Sequence, residues 1–295
     1  NTPDEGVDLK IYQCATCGLI QINDNPVPYY KEVIRASAFS EEMKQYRVKQ
    51  FGEFVKKYNL IEKKVLEIGC GKGEYLELMK NSGADAYGIE FSNKSVEYCQ
   101  NQNLLVNKYY IDKENANILH APFNAFFILN FLEHFPDPNS ALKGIRNNLV
   151  DEGIGLVEVP NFDMMIKHNL FSEFIGDHLL YFTKETLLST LSRNGFEILE
   201  CNNIWYDYII SAVVKKRQPL DLSDFYNHKN KVVKELHQYI DQYDSKKVAI
   251  YGAGHQALAV IGMSKIGSKI KYIVDDATFK QGKYAPASHV PIVSP

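Results

Sequence analysis

Apolar and polar positions alternate along the middle of the chain in blocks that predict strands and helices in turn. Short apolar runs typical of strands are separated by segments in which apolar residues recur at helical spacing. The predicted order is strand KVLEIG, helix EYLELMKNSG, strand AYGIEF, helix NKSVEYCQNQ, strand LLVNKYY, strand NAFFILNF, helix NSALKGIRNNL and strand IGLVEVP. Strands and helices that alternate in this way form a parallel sheet with both faces covered. The sequence therefore predicts a doubly wound α/β domain.

The segments that flank this core predict three domains. Before the core, Leu9–Asn23 is β-rich and leads into the turn residues NDNPVP, and Phe39–Leu60 predicts a helix capped by Ser40. After the core come a helix opened by Thr183, two strands turned back on each other, and a charged linker at Lys215–Asp224. We predict an N-terminal arm at residues 1–38, a central domain at residues 39–215 and a C-terminal domain at residues 216–295.

Composition narrows the classes of partner. Lysine and arginine number 33 and aspartate and glutamate 36, so the net charge of −3 gives no reason to expect binding to nucleic acid or to a membrane surface. The 5 cysteines are an odd number and lie apart except for one close pair, which does not indicate a secreted disulfide framework. No apolar run reaches the roughly 18 residues of a membrane helix. We expect a cytoplasmic protein that acts on a small molecule.

A glycine-rich turn follows the first core strand and opens a predicted helix. A phosphate-binding P-loop needs lysine and then serine or threonine after its last glycine, whereas glutamate and tyrosine follow Gly73 here. The spacing of Gly69, Gly71 and Gly73 is G-x-G-x-G, not the G-x-G-x-x-G of dinucleotide-binding folds. The P-loop is thereby excluded, and a dinucleotide turn is disfavoured.

Two carboxylates beside this turn indicate its ligand. Glu67 stands just before the glycines, where its charge repels a diphosphate and attracts an ammonium group. Glu90 ends the next predicted strand, about 20 residues after the first glycine, where an acidic residue accepts hydrogen bonds from both ribose hydroxyls. A nucleoside with a positively charged amino-acid tail fits both carboxylates. S-adenosylmethionine is such a molecule.

The resemblance to a known family rests on three motifs, VLEIGCGKGEYL, YGIEFS and FFILNFLEHFPDP. Together they are similar to the motifs of class I S-adenosylmethionine-dependent methyltransferases, which implies a doubly wound sheet of seven strands. The cofactor-binding residues implied by this resemblance are Gly69, Cys70 and Gly71 against the methionyl part, Glu90 with Phe91 at the ribose, and Asn130, Phe131 and His134 beside the methionine end.

Nearly the whole chain resembles the three-domain sugar C-methyltransferases that act on nucleotide-linked keto-deoxysugars. The segments that carry this likeness are CATCGLIQ, GDHLLYF, VAIYGAGHQALAVIG and KQGKYAPASHVPIVSP. The resemblance implies S-adenosylmethionine as the cofactor and a nucleotide sugar as the substrate. It also implies a C-terminal lobe that has the dinucleotide-binding shape, holds no cofactor and helps to bind the nucleotide sugar.

The same resemblance implies a catalytic pair, Asp177 and His178. Members of the family have a Glu-His pair here, with a tyrosine two residues before the glutamate, and Ile175 replaces that tyrosine in this chain. A histidine base can remove a proton from the carbon next to a ketone, and the enolate carbon then attacks the sulfonium methyl group. Asp177 would orient the imidazole or stabilise its charge. For Tyr181, replacement of the missing phenol and core packing are the two alternatives.

Cys14 and Cys17 form a C-x-x-C pair, which is half of a tetrahedral zinc site. The family's other cysteine pair precedes this one, so the resemblance implies a structural zinc ion whose further ligands lie upstream of Asn1. A free reduced pair or a weakly held ion is the alternative.

Three other functions stay open on the sequence. The same base can deprotonate a sugar hydroxyl, which would make the protein an O-methyltransferase. Gly252 and Gly254, with Asp275 about 20 residues later, can form the NAD-binding turn of an oxidoreductase, although histidine and glutamine fill the place of the third glycine. Because Ile175 departs from the family motif, an inactive binding module is the third possibility.

Overall fold

A computed structural model of the chain describes residues 8–22, 26–28, 30–31 and 40–295. The first residues of the turn predicted from Asn23, and Phe39 at the start of a predicted helix, lie outside the described residues. The chain divides into two compact units, Asn1–Gln218 and Pro219–Pro295.

The first unit is built around a sheet of seven strands. Its strands in chain order are β1 (Ile11–Gln13), β2 (Ile20–Ile22), β3 (Lys64–Ile68), β4 (Asp85–Glu90), β5 (Leu105–Lys108), β6 (Phe123–Leu129), β7 (Leu149–Pro160), β8 (Leu180–Tyr181), β9 (Phe196–Ile204) and β10 (Ile209–Lys216). The central sheet has the order β5-β4-β3-β6-β7-β10-β9. Strands β3 to β7 are parallel, and β10 is antiparallel to β7 and β9. The predicted doubly wound sheet is confirmed, and its mixed edge arises because β9 and β10 are joined by a tight hairpin.

Helices cover both faces of the central sheet. The helices of the first unit are α1 (Glu41–Lys57), α2 (Glu74–Asn81), α3 (Asn93–Asn101), α4 (Pro138–Asn147), α5 (Phe162–Lys167) and α6 (Lys184–Arg193). Of these, α5 packs against the small sheet of β1, β2 and β8. On β6, Phe126 and Ile128 pack into one hydrophobic core and Ala125 and Phe127 into another. Successive side chains of a strand point to opposite faces. The continuous apolar run of β6 is therefore explained by burial on both sides.

The predicted helix caps are confirmed. The Ser40 side chain accepts a hydrogen bond from the backbone N–H of Met43 at the start of α1. The Thr183 side chain accepts one from Thr186 at the start of α6. Each cap satisfies a backbone donor that the helix itself cannot pair, which sets the first residue of the helix.

A small sheet connects the N-terminal segment to the central region. β1 and β2 pair antiparallel, and β2 also pairs with β8. Cys14 and Cys17 lie in the turn between β1 and β2, which a hydrogen bond from the Gly18 N–H to the Cys14 carbonyl closes. Because β8 follows closely after His178, this sheet holds the segment that contains the predicted catalytic pair.

The second unit contains a smaller α/β arrangement of α7 (Ser223–Ile240), β11 (Val248–Tyr251), α8 (His255–Ser264), β12 (Ile270–Val274) and β13 (Ile292–Val293). Its three strands are parallel, in the order β11-β12-β13. The longest described helix is α7, with 18 residues, and none of the described helices is long and apolar enough to cross a membrane.

The predicted linker Lys215–Asp224 is longer than the irregular segment in the structure, which covers residues 217–222. β10 continues through Lys215 and Lys216, which pair with β7 at Ile154 and with β9 at Glu197 and Phe196. Asp224 lies in the first turn of α7, where a negative charge is favourable. Charged residues at both ends of the segment thus belong to regular structure.

A buried ion pair joins α1 to the central sheet. Arg47 on α1 and Glu158 on β7 are 1% and 0% exposed, and their closest atoms are 2.5 Å apart. Gln50 and Ser211 also donate hydrogen bonds to the Glu158 carboxylate, and the Arg47 guanidinium lies 5.2 Å from the centre of the Tyr75 ring. Loss of one member of such a pair leaves the other charge buried without compensation.

Removal of Glu158 should therefore destabilise the first unit. We expect Glu158→Ala to lower the free energy of unfolding by about 3–5 kcal/mol, measured by urea titration with the fluorescence of Trp205, the single tryptophan. Glu114→Ala is the matched control, because its ion pair with Lys143 is exposed and contributes at most about 1 kcal/mol. Similar losses in both variants would show that the buried pair has no special role.

Candidate active site

The carboxyl ends of β3, β4 and β6 meet at one edge of the central sheet. β3 lies between β4 and β6, so the order of strands reverses at this point. Ligands of open α/β sheets bind in the crevice outside the strand ends at such a reversal. The predicted cofactor-binding residues come from the end of β3, the end of β4 and the loop after β6. The topology thus brings all three groups to one crevice.

The turn after β3 needs glycine for two reasons. Gly69, Gly71 and Gly73 have φ angles of 69°, 54° and 80°, in the left-handed region that favours glycine. A Cβ atom on Gly69 would lie 2.5 Å from the Phe131 ring, so a side chain there would have to displace that ring. Gly69 and Phe131, predicted for one site from two distant motifs, are therefore in direct contact.

Glu90 ties the glycine turn to the end of β4. Its carboxylate accepts hydrogen bonds from the backbone N–H groups of Gly71, Phe91 and Ser92 at 3.0, 2.9 and 2.8 Å. The side chain is buried. A carboxylate has about four acceptor positions, and at least three are used by the backbone. Glu90 therefore organises the turn, in addition to the predicted contact with a ribose.

Glu67 and Cys70 lie beneath the turn. Both side chains are buried, Glu67 near the end of β3 and Cys70 directly after Gly69. A hydrogen bond with Cys99, burial and the charge of Glu67 raise the pKa of the Cys70 thiol well above its usual range. Cys70 is therefore a neutral thiol beside a negative carboxylate, a setting that suits a cationic ligand.

Aromatic rings line the crevice beside Glu90. Phe91, Tyr110 and Phe131 surround a space of about 10 Å³, room for about one water molecule. The Lys31 ammonium lies 4.9 Å from the centre of the Tyr110 ring and 5.4 Å from that of Phe91. Neither Tyr110 nor Lys31 is predicted from the sequence, although the aromatic end of NKYY is a signal for Tyr110.

The loop after β6 contributes Asn130, Phe131 and His134. The Asn130 Oδ1 atom is buried and has no hydrogen-bond partner among the described residues. His134 Nδ1 lies 2.7 Å from the backbone carbonyl of Asp177. Because a carbonyl only accepts, Nδ1 carries the proton and Nε2 has the lone pair. His134 is thus held in one tautomer by the segment that contains the predicted catalytic pair.

His178 lies against His134, with ring centres 4.7 Å apart and ring planes nearly perpendicular. Burial and the neighbouring His134 lower the pKa of His178 to about 4, although the charge of Asp177 acts in the opposite direction. The imidazole is therefore neutral at pH 7, and a lone pair is available. Within the described structure the Asp177 carboxylate makes no hydrogen bond to His178; its backbone carbonyl orients His134 instead.

The Tyr181 side chain binds the backbone of the same segment. Its hydroxyl accepts a hydrogen bond from the Ile175 N–H at 2.9 Å and donates one to the Ile175 carbonyl at 3.2 Å. The side chain is buried. Of the two roles considered for Tyr181, these contacts favour the structural one.

Glu133 also belongs to this site, although it is not among the residues that the sequence predicts. It lies between the motif residues Phe131 and His134 and is 1% exposed, and burial raises its pKa to about 8. One ligand atom from each of Glu133, His134 and His178 lies within 4.8 Å of the others. The signal in the sequence is a charged residue directly after the apolar pair Phe131 and Leu132. Only the fold brings His178 beside it.

Cys14 and Cys17 lie close to each other in the turn between β1 and β2. Backbone N–H groups of Cys17 and Thr16 lower the pKa of the Cys14 thiol, which favours the thiolate that a metal binds. Across the described ranges, no third histidine, cysteine or carboxylate ligand joins Cys14 and Cys17. The pair fits two of the four positions of a structural zinc ion, and zinc stays a prediction.

The second unit has a glycine turn between β11 and α8. Gly252 has a φ angle of 98°, whereas no described atom lies within 4 Å of a Cβ placed on Gly254. Asp275, the alternative ribose ligand of an NAD site, accepts a hydrogen bond from the Ala253 N–H and pairs with Lys280. A side chain at Gly254 would contact no neighbouring atom, so close packing does not require glycine there. Asp275 already interacts with other groups of the protein.

Two family models match the chain. One is described as a methyltransferase domain and matches residues 39–201. The other is described as a C-methyltransferase C-terminal domain and matches residues 217–295.

Two similar proteins are named as methyltransferases. C-methyltransferase NovU of Streptomyces niveus is 22% identical over 261 residues, which cover 78% of this chain and 62% of NovU. Ubiquinone biosynthesis O-methyltransferase of Histophilus somni is 30% identical over 105 residues, or 32% of this chain and 44% of that protein. The chain thus spans less than two thirds of the length of these relatives.

A solved structure has the same fold. An S-adenosylmethionine-dependent methyltransferase from Clostridium acetobutylicum aligns with a TM-score of 0.50 and 15% identity, over 64% of this chain and 96% of that one.

The contact between Gly69 and Phe131 generates a test of the cofactor site. We expect Gly69→Ala to weaken binding of S-adenosylmethionine at least tenfold, roughly 1.4 kcal/mol, because the methyl group meets the Phe131 ring. Isothermal titration calorimetry measures the affinity. Gly83→Ala is the matched control: its φ of 96° imposes similar backbone strain, but its Cβ would have no neighbour closer than Ile61 at 3.8 Å. Unchanged affinity in Gly69→Ala would remove the turn from the binding site.

Proposed function

Because this chain belongs to the class I S-adenosylmethionine-dependent methyltransferase family, we propose that it transfers a methyl group to carbon of a nucleotide-linked keto-deoxysugar. The observation that carries the proposal is the contact of His178 with His134, 4.7 Å between ring centres. This contact places the neutral imidazole of His178, from a different segment of the chain, beside the loop after β6. An imidazole in this position can accept a proton from a substrate next to the cofactor's methyl group.

S-adenosylmethionine is proposed to bind across the carboxyl ends of β3, β4 and β6. The negative charge of Glu67 supports a position for the ammonium tail near the glycine turn. Glu90 favours a position for the ribose, which carboxylates bind, at the end of β4. Phe91 and Tyr110 favour a position for the base, which packs against aromatic rings, beside it. The methyl group then faces the loop that contains His134.

The proposed reaction begins with His178. The C–H bond next to the ketone breaks, and the proton moves to the imidazole. The enolate carbon then forms a bond to the methyl group, and the sulfur keeps the electron pair of the broken S–C bond. The charge of Asp177 raises the pKa of His178 against the effect of burial and so stabilises the imidazolium that results. The Asp177 backbone also positions His134.

The nature of the substrate rests on similarity. The C-terminal residues 217–295 match a C-methyltransferase C-terminal domain, and NovU is a C-methyltransferase. We propose that the second unit helps to hold the nucleotide part of the sugar and that a structural zinc ion, if Cys14 and Cys17 receive further ligands, stabilises the N-terminal arm.

Methylation of a sugar hydroxyl is the second candidate. The similarity of 105 residues to an O-methyltransferase favours it. The chemistry is related, because the base that removes a proton from carbon can remove one from oxygen.

Exchange of hydrogen with solvent distinguishes the two candidates. With a keto-sugar nucleotide in deuterated buffer, we expect deuterium at the carbon next to the ketone, and at least roughly a 100-fold slower exchange in His178→Ala. His168→Ala is the control, since this histidine is exposed at the end of α5. Nuclear magnetic resonance follows the exchange. Methyl transfer without exchange would place the methyl group on oxygen.

Titration with two cofactors tests the oxidoreductase alternative. We expect S-adenosylmethionine to bind and NAD to give no heat, because His255 and Gln256 fill the place of the third glycine of an NAD-binding turn. The reverse result would reject the methyltransferase proposal.

Mass spectrometry of products from a panel of nucleotide sugars then identifies the substrate.

A further inference from the structure

The buried cluster of Glu133, His134 and His178 has a feature that the proposed function does not explain. Glu133 is 1% exposed, and neither of its carboxylate oxygens has a hydrogen-bond partner within the described part of the chain. Buried polar groups are nearly always paired, and an exception calls for a bound ion or water. The unpaired carboxylate therefore points to a ligand that the protein itself does not supply.

The geometry of the cluster indicates the kind of ligand. One ligand atom from each of the three side chains lies within 4.8 Å of the others. Ligand atoms bound to one ion at about 2.1 Å lie roughly 3 to 4 Å apart, so small side-chain rotations bring all three onto a common centre. One carboxylate and two imidazoles, with other positions open, form a ligand set for divalent transition metals.

His134 already has the orientation of a metal ligand. Its Nδ1–H donates to the Asp177 carbonyl at 2.7 Å, which leaves Nε2 with its lone pair. Histidines that bind metals usually donate their second ring N–H to a carbonyl or carboxylate in this way. Asn130, earlier on the same loop, has a buried Oδ1 whose partner the described residues also do not provide.

We propose that Glu133, His134 and His178 bind a divalent transition-metal cation. The inference goes beyond the proposed function and does not rest on it. A cation and a proton compete for the lone pair of His178, so the base described above belongs to the ion-free protein. An ion bound by His178 would therefore block the proposed base.

Cobalt(II) is the probe, added to the full chain after removal of any histidine tag and without cofactor or substrate. We expect one ion with nitrogen and oxygen ligation, visible as weak absorption bands, and at least about a tenfold loss of affinity in Glu133→Gln and in His178→Ala. Glu133→Gln preserves the shape of the side chain, and circular dichroism checks its fold. His168→Ala, which changes an exposed histidine, should bind like the wild type.

A separate control tests whether Cys14 and Cys17 are the residues that bind cobalt. In Cys14→Ser combined with Cys17→Ser, the binding should persist, and the spectrum of this variant should contain no strong thiolate-to-cobalt band in the near ultraviolet. Absence of binding, or binding that survives Glu133→Gln but not the double cysteine variant, would overturn the inference. Titration of the same preparation with S-adenosylmethionine shows independently whether the proposed function fails.

Discussion

The close approach of the turn after β3 to the loop after β6 is the constraint on which the site depends. It exists because β3 and β6 are parallel neighbours, so that their carboxyl ends lie at the same edge of the sheet. Gly69 allows the Phe131 ring to lie where a side chain would otherwise stand. Glu90 then fixes the turn from the other neighbouring strand through three backbone N–H groups. The crevice is thus defined by backbone geometry before any ligand binds.

The reactive side chains are held by backbone hydrogen bonds between two distant segments. The Leu179 N–H donates to the Glu133 carbonyl at 2.9 Å, and His134 donates to the Asp177 carbonyl. The Leu179 carbonyl in turn accepts a hydrogen bond from the Ile22 N–H in β2. The N-terminal hairpin therefore supports the segment of His178, which connects the small sheet to the chemistry of the site.

Three buried glutamates near the strand ends illustrate three ways to keep a carboxylate in a protein interior. Glu158 is paired with Arg47, and Glu90 accepts backbone hydrogen bonds. Glu133 has neither kind of partner among the described residues. Burial without compensation is costly for a charged group, which explains the raised pKa of Glu133. It is this difference that directs attention to the cluster with His134 and His178.

Local pattern determined much of this protein. Hydrophobic periodicity predicted the strands and helices of the central sheet, Ser40 and Thr183 marked helix starts, and the glycines with Glu67 and Glu90 indicated the cofactor. These signals are readable because they reflect contacts between residues a few positions apart or the alternation of a strand. Tertiary structure decided what depends on distant segments: the meeting of Glu133 with His178, the place of Tyr110, and the use of the Tyr181 hydroxyl. Pairing of β2 with β8, and of β3 with β6, creates those contacts, and no local pattern encodes which strands pair.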